Sequence, residues 1–271
     1  MSHSYVNLYN KETKTQPLVV HANGNSKHPG KDEVWEKIRS FYNQSNPKKE
    51  QLCDDLTIVT WKGGRFSSVK TVLEESCDKF GVSLKILPWP DTTNFWEGTV
   101  KAKIHGTHQA IQRGEIKTKY MMTMDAGDVI FLKHPNIVLE EFLKTYNSYK
   151  SVWCTEANDW PRLDLPKYVH YPVLDDLLSR LSKRDREDMK IHGSRFAFLN
   201  AGCSTGETQH YVKFYEASMN VCNRMHTVDQ AMSRISQFLD PENHSLDSQC
   251  QLYQCLYDTT LQSFDVGLVH E

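Results

Sequence analysis

The stretch YMMTMDAGDVIF, residues 120–131, decides the fold class. Largely apolar positions lead to Asp125, two small residues form a turn, and Asp128 begins a second apolar run. Two carboxylates this close cost free energy unless a cation or hydrogen-bond donors neutralise them. The pattern therefore indicates either a Mg²⁺ or Mn²⁺ site at the end of a buried strand, or an Asx-turn in which the first Asp caps its own backbone.

Strand-like runs alternate with amphipathic stretches on both sides of this turn. Such alternation predicts one α/β domain over residues 1–271, with a mixed, mostly parallel sheet flanked by helices and ligands bound beyond the carboxyl ends of the strands. Strands are predicted at 56–61, 82–89, 120–132, 151–156 and 196–202, and helices at 28–42, 66–80, 99–113, 136–146, 173–190, 207–222 and 228–238.

Composition narrows the class of protein. Hydrophobic residues make up 39% and charged residues 24% of the chain, and no apolar run approaches the roughly 20 residues that a membrane-spanning helix needs. The N-terminus lacks the apolar core of a signal peptide, so we expect a cytoplasmic protein. The seven cysteines include no C-x-x-C pair, which favours reduced structural thiols.

Net charge gives no general attraction to nucleic acid, because the chain carries −2 at pH 7. A local basic groove is one hypothesis, and solvated helix faces of mixed charge are the other. The residues concerned are Lys101, Lys103, Arg113, Lys117, Lys119 and the run 183–186.

A second polar loop follows an apolar run near the start of the chain, in VVHANGNSK, residues 19–27. A lone histidine such as His21 is more often structural than functional, so this loop is informative only in combination with other segments.

Several of these segments resemble the glycosyltransferase domain of the procollagen lysyl hydroxylases, a relative of the GT-A nucleotide-sugar fold. DAGDVIF resembles that family's Asp-Ser-Tyr-Asp-Val turn. Further segments resemble family motifs in the family's order: WCTEANDWP (153–161), FLNAGCSTG (198–206), VDQ (228–230) and LDSQCQLYQCL (246–256).

The order of one further motif differs from the family's. VVHANGNSK resembles Val-Val-His-Gly-Asn-Gly-Pro-Thr-Lys, which in the family follows the other motifs, whereas here it precedes them. The resemblance therefore implies a circularly permuted GT-A-like domain, in which residues 1–50 are equivalent to the C-terminal end of the family domain. The C-terminal SFDVGLVHE followed by the N-terminal SYVNLYNKETK also resembles a continuous run of the family.

The resemblance implies a metal site and a donor site. Asp125, Asp128 and His21 would hold Mn²⁺, or Mg²⁺, beside the diphosphate of a UDP-sugar. The implied contacts to that donor are Gly24, Lys27, Thr60, Trp61 and Lys101, although Trp61 could equally be a core residue.

The resemblance also implies an acceptor side, formed by Glu156, Trp160, Asn200 and Asp229. Glu156 or Asp229 would orient the attacking hydroxyl, or accept its proton if the reaction inverts the anomeric configuration. Trp160 could instead be a packed loop residue, and Asn200 a turn-forming amide. Two departures from the family are Ala126-Gly127 in place of Ser-Tyr, and Val228 in place of one Asp.

These expectations give an enzyme that moves a sugar from a nucleoside diphosphate to a hydroxyl of a macromolecule. The acceptor would be hydroxylysine in a protein or a 5-hydroxymethyl pyrimidine in viral or phage DNA, the latter in the host cytoplasm. The alternative is a nucleotide-sugar-binding module that has lost catalysis.

Overall fold

The structure is a computed structural model that describes residues 2–23, 29–63, 67–92, 94–160, 194–221 and 228–270. The strands in these ranges are β1 (Ser4–Asn10), β2 (Val19–His21), β3 (Leu56–Lys62), β4 (Lys85–Pro88), β5 (Tyr120–Met124), β6 (Val129–Phe131), β7 (Ser151–Glu156), β8 (Phe198–Glu207), β9 (His244–Leu246), β10 (Tyr253–Cys255) and β11 (Phe264–His270). The α-helices are α1 (Pro29–Gln44), α2 (Val72–Phe80), α3 (Phe95–Thr99), α4 (Thr107–Gln112), α5 (Pro135–Thr145), α6 (Thr208–Val221) and α7 (Asp229–Leu239). A π-helix (Val100–Gly106) joins α3 to α4, and a 3₁₀ turn (Leu261–Ser263) precedes β11.

The main sheet has six strands in the order β4-β3-β5-β8-β7-β9. Five of them run parallel, and β8 is antiparallel to both of its neighbours. The side chains of β5 alternate between the two faces, because Met121 packs in one apolar cluster and Met122 in another. Helices cover both faces, so the predicted α/β fold with a mixed, mostly parallel sheet is confirmed.

The two faces of the sheet carry different helices. One face packs against the π-helix, α4, α6 and α7, and the other packs against α2 and α5. A third apolar cluster joins α1 to β1, β2, β6 and β11. No helix in the described ranges is long and apolar enough to span a bilayer.

A small second sheet, ordered β10-β2-β6, brings the N-terminal segment beside the acidic turn. β2 pairs antiparallel with β6, so that His21 lies opposite Val129, and it pairs parallel with β10, so that His21 also lies opposite Cys255. The backbone N–H of Ala22 donates to the carbonyl of Asp128 at 2.9 Å. This register fixes the end of β2 at the turn between β5 and β6.

Several element boundaries differ from the expected ones. The strand expected at 82–89 is limited to β4, and the one expected at 120–132 is divided by the acidic turn into β5 and β6. The helix expected from residue 66 begins at Val72, because Thr71 caps it in a capping box. The Thr71 hydroxyl accepts a hydrogen bond from the N–H of Glu74, and the Glu74 carboxylate accepts one from the N–H of Thr71. The helix expected at 173–190 lies outside the described residues.

β1 and β11 form a separate antiparallel pair in which Ser4 lies opposite His270. The pattern of the sequence did not predict these strands, nor β9 and β10. Five of the six described cysteines are buried, and all six are free thiols.

Candidate functional site

Two segments that are distant in sequence meet at one end of the main sheet. Asp125 and Asp128 belong to the turn between β5 and β6, and His21 is the last residue of β2. Nε2 of His21 lies 3.8 Å from Oδ2 of Asp125 and 3.4 Å from Oδ2 of Asp128. One ligand atom from each of the three residues lies within 4.8 Å of the other two, so the structure brings together all three metal ligands that the sequence suggests.

Gly202 leaves the space that the imidazole of His21 occupies. A Cβ at this position would lie 2.7 Å from both ring nitrogens of His21, well inside van der Waals contact. The carbonyl of Gly202 also accepts from the N–H of Asp125 at 2.8 Å. Gly202 of β8 therefore helps to position both His21 and Asp125.

The donor set suits a hard divalent cation. Two carboxylate oxygens and one imidazole nitrogen are the mixed oxygen and nitrogen ligands that Mn²⁺ accepts. Burial raises the pKa of Asp125, with the Lys103 ammonium opposing this effect and the Asp128 carboxylate adding to it. Burial lowers the pKa of His21, but the attraction and hydrogen bond of the Asp128 carboxylate together with the contact to Cys255 outweigh it, and the pKa is raised well above its usual value. The shift of His21 indicates that a positive charge is favoured beside the Asp128 carboxylate, where a bound cation would also be favoured.

Lys103 supplies a fixed positive charge to this cluster. Its Nζ lies 2.6 Å from Oδ1 of Asp125 and 2.9 Å from Oδ2 of Asp229, and 5.7 Å from the centre of the Trp61 ring. Burial alone would lower the pKa of Lys103, but the Asp125 and Asp229 carboxylates raise it, so the side chain stays charged. Lys103 comes from the π-helix, a geometry that is often found at functional sites.

Lys101, expected to contact the donor, points elsewhere. Its side chain is half exposed, and its Nζ lies 2.5 Å from Oε1 of Glu97 on the solvent side of the helix. The structure thus places Lys103, two residues later, where Lys101 was expected. Thr60, also expected to contact the donor, is not among the residues that line the cavity: it is fully buried, and its hydroxyl donates to the carbonyl of Met124 at 2.7 Å.

Glu156 is the centre of a buried polar network. Nδ2 of Asn23 donates to its Oε2 at 2.6 Å, and Nε2 of Gln230 donates to its Oε1. Nδ2 of Asn200 donates to Oδ1 of Asn23 at 3.1 Å. Burial raises the pKa of Glu156 to about 6, with the hydrogen bonds from Gln230 and Asn23 opposing the shift. Glu156 and Asn200, expected on the acceptor side, thus share one network.

These groups line one cavity of about 1250 Å³. The expected site residues that line it are His21, Trp61, Asp125, Asp128, Glu156, Trp160, Asn200 and Asp229. Gly24 and Lys27 lie outside the described residues.

Some lining residues were not predicted as site residues. Asn23 and Gln230 belong to the motifs HANGN and VDQ, so a search for amide partners of Glu156 in those motifs would have found them. Three aromatic side chains, Trp89, Phe95 and Trp96, also line the cavity. Only the aromatic composition of WPDTTNFWEG could have indicated them. Lys31 and Trp35 of α1 also line the cavity, and no pattern in the sequence marked them.

Comparison with known proteins gives little at the level of sequence. No protein-family model and no curated protein matches the chain. The apo structure of mouse xyloside xylosyltransferase 1 is similar to this chain with a TM-score of 0.39 and 9% sequence identity, over 79% of each chain.

Proposed function

We propose that this chain is a metal-dependent glycosyltransferase, which moves a sugar from a nucleoside-diphosphate sugar, a UDP-sugar in the first instance, to a hydroxyl of a macromolecular acceptor. The observation that carries the proposal is the convergence of His21, Asp125 and Asp128, from segments 104 residues apart, in a large cavity. Mn²⁺ or Mg²⁺ held by these three residues would stabilise the negative charge that develops on the departing nucleoside diphosphate.

Lys103 is the proposed phosphate contact of the chain itself. An ammonium has three N–H donors, and the two carboxylates that Lys103 contacts leave capacity for a phosphate oxygen. Its charge is fixed before the donor arrives, so stabilising the leaving group needs no new ionisation.

Glu156 and Asp229 are the proposed groups that handle the acceptor. During transfer the bond from the anomeric carbon to the diphosphate oxygen breaks, and its electron pair leaves with the diphosphate. A bond forms between the anomeric carbon and the acceptor oxygen, whose proton passes to a carboxylate. Glu156 is suited to receive it, because a carboxylate with a pKa of about 6 is ionised at neutral pH and is a stronger base than an ordinary glutamate.

We also propose a relationship between this chain and a known glycosyltransferase family. The motif order supports a permuted relative of the lysyl hydroxylase glycosyltransferase domain with a GT-A-like fold, and buried free thiols favour a reducing compartment such as the cytoplasm. Hydroxylysine in protein and 5-hydroxymethyl pyrimidine in DNA are the two acceptor classes that this relationship suggests.

Donor hydrolysis tests the proposal directly. We expect UDP with Mn²⁺ to raise the melting temperature, and a panel of UDP-sugars to show Mn²⁺-dependent hydrolysis that falls at least 100-fold in the Asp125→Asn/Asp128→Asn double variant. Lys101→Met is the matched control, because Lys101 lies outside the cavity. Binding of UDP with Mn²⁺ but no hydrolysis of any UDP-sugar would favour the inactive binding module, and neither binding nor hydrolysis would overturn the proposal.

A further inference from the structure

Four aromatic side chains form a continuous wall on the cavity, which we call the aromatic wall: Trp89, Phe95, Trp96 and Trp160. The ring centroids of Trp89 and Phe95 lie 5.6 Å apart with an interplanar angle of 25°. Phe95 and Trp96 are 5.2 Å apart and nearly perpendicular, and Trp96 and Trp160 are 5.2 Å apart. The wall therefore joins the segment after β4 to the segment after β7.

Three of the four rings are exposed to solvent, although rings of this size are normally buried. Phe95 is 57% exposed, Trp96 44% and Trp160 37%, whereas Trp61 and Trp153 are almost completely buried. Contiguous exposed aromatic surface inside a cavity is typical of a ligand-binding groove rather than of a solvated surface.

The local structure holds the wall in position before any ligand arrives. Asn94 caps α3, with Oδ1 accepting from the N–H groups of Trp96 and Glu97 at 3.0 and 3.3 Å. Gly98 allows the helix to approach Trp89, because a Cβ there would lie 2.8 Å from Nε1 of the indole. The rings are thus presented by a capped helix that packs closely against its neighbour.

The charges around the cavity argue against a polyanionic acceptor. The described lining carries five carboxylates and two lysines, and the two positive charges of one divalent ion would not reverse this excess. The diphosphate of the donor would take up the charges of the metal ion and of Lys103, so the phosphates of an acceptor nucleotide would meet mainly carboxylates and be repelled. A neutral ring with hydroxyl groups would instead find hydrogen-bond acceptors in these carboxylates.

We propose that the aromatic wall is the acceptor subsite and that it binds a saccharide ring by stacking. The C–H groups on one face of a pyranose would lie against the partially negative face of Trp96, and Phe95, nearly perpendicular to it, would border the sugar ring at its side. A sugar hydroxyl would then point towards Glu156 and Asp229. This inference rests on the proposed function and assigns it a different acceptor class, a neutral carbohydrate, in place of hydroxylysine or a 5-hydroxymethyl pyrimidine.

Direct binding, measured without donor or metal, tests the subsite separately from catalysis. The probes are methyl glycosides of glucose, galactose, mannose and xylose, with maltose and cellobiose, monitored by saturation-transfer NMR and tryptophan fluorescence. We expect at least one saccharide to bind the wild-type protein, with its Kd rising at least tenfold in Trp96→Ala and in Phe95→Ala. Leu143→Ala is the control, because it removes an equally exposed apolar side chain on α5, far from the cavity lining.

Trp96→Phe keeps a ring at the same position, and we expect it to restore most of the affinity. If Trp96→Ala fails to fold, Phe95→Ala alone carries the test. Absence of saccharide binding, or binding that neither wall variant weakens, would overturn the proposal. Binding of a hydroxymethylcytosine oligonucleotide that is lost in Trp96→Ala and in Phe95→Ala would also overturn it, by making the wall a nucleobase site. Failure of donor hydrolysis with intact saccharide binding would contradict the proposed function alone.

Discussion

At the scale of single residues, Gly202 determines where the His21 imidazole can lie. The ring occupies the volume that a side chain at residue 202 would fill. A side chain at residue 202 would clash with the ring. Relief of the clash would require His21 or β8 to move, and either shift would separate Nε2 from the two carboxylates. The candidate metal site of His21, Asp125 and Asp128 therefore depends on a residue that has no side chain to bind a metal.

Gly202→Ala should abolish the response to metal at a moderate cost in stability. We expect a loss of about 1–3 kcal/mol in the free energy of unfolding from overpacking. The stabilisation by Mn²⁺, about 2.7 kcal/mol at 100 times its Kd for an intact site, should disappear. Urea unfolding with and without Mn²⁺ measures both quantities. Gly267→Ala is the control, since a Cβ there meets no atom within 4 Å. Full Mn²⁺ stabilisation in Gly202→Ala would contradict the geometry.

Glu156 gives a prediction about pH. Its pKa is about 6 in the folded protein against 4.5 for an ordinary glutamate. The folded state therefore holds the proton more tightly, and this contribution to stability is complete below about pH 4.5 and is lost as the pH rises through about 6. The difference between these two pKa values corresponds to about 2 kcal/mol in the free energy of unfolding.

The comparison that isolates this effect is between wild type and Glu156→Gln. We expect the free energy of unfolding of wild type, relative to the variant, to fall by about 2 kcal/mol between pH 4 and pH 7. The other buried carboxylates titrate in both proteins, so their effects cancel in the difference. Parallel stability curves across this range would show that Glu156 has an ordinary pKa in the folded protein.

At the scale of elements, the π-helix decides which lysine enters the site. Hydrogen bonds from i to i+5 widen the helix and rotate its side chains away from the α-helical pattern. Lys103 consequently contacts Asp125 and Asp229, and Lys101 pairs with Glu97 in solvent. Residues two apart lie on opposite faces of an α-helix as well, so an α-helical reading of residues 99–113 separates the two lysines but does not say which of them faces the site.

Lys103→Met and Lys101→Met form a matched pair on this helix. Lys103→Met leaves two carboxylates without their cation, so we expect a loss of about 2 kcal/mol or more in the free energy of unfolding in EDTA. Mn²⁺ should reduce this loss, because it would neutralise Asp125. Lys101→Met should change little, since its ion pair is solvated. Urea unfolding in EDTA and in Mn²⁺ tests the pair; an equal loss in both media would show that Lys103 and the metal do not share a carboxylate.

Long elements and contiguous motifs could be predicted from the sequence, whereas short pairings could not. β5, β7 and α7 follow clear apolar patterns, and DAGDVIF contains its own carboxylates. β9 and β10 have three residues each, which is too few to show a period, and their pairing depends on partners far along the chain. The aromatic wall was missed for the same reason, because Trp96 and Trp160 meet only after β4 and β7 are in place.

At the scale of the whole molecule, β1 and β11 bring the two ends of the described chain together. Ser4 and His270 are opposite one another, and paired antiparallel residues have Cα atoms about 5 Å apart. The proposed permutation requires such an arrangement, because the family's chain would run without a break from the segment of β11 into that of β1. A short linker could therefore join the ends without disturbing the sheet.

Restoring the family's order of segments tests this relationship. The permuted chain would begin at Lys49, run through residue 271, and continue through a linker of about five Gly and Ser residues into residues 1–48. The opening between Lys48 and Lys49 falls in an exposed connection between α1 and β3, where a break should cost little. We expect a cooperative fold with a melting temperature close to that of the original chain and an unchanged response to Mn²⁺.

The matched control uses the same linker but opens the chain between Ala126 and Gly127. That break separates Asp125 from Asp128 and leaves the rest of the sequence intact, so the metal response should be lost even if the sheet forms. Melting curves with and without Mn²⁺ distinguish the two chains. If the chain opened at Lys49 fails to fold while the control folds, the joined ends are tolerated but the break between Lys48 and Lys49 is not, so the fold does not accept the family's order of segments and the permuted relationship is wrong. If the first chain folds and responds to Mn²⁺, the cluster of His21, Asp125 and Asp128 depends on where these segments lie in the fold and not on their order along the chain.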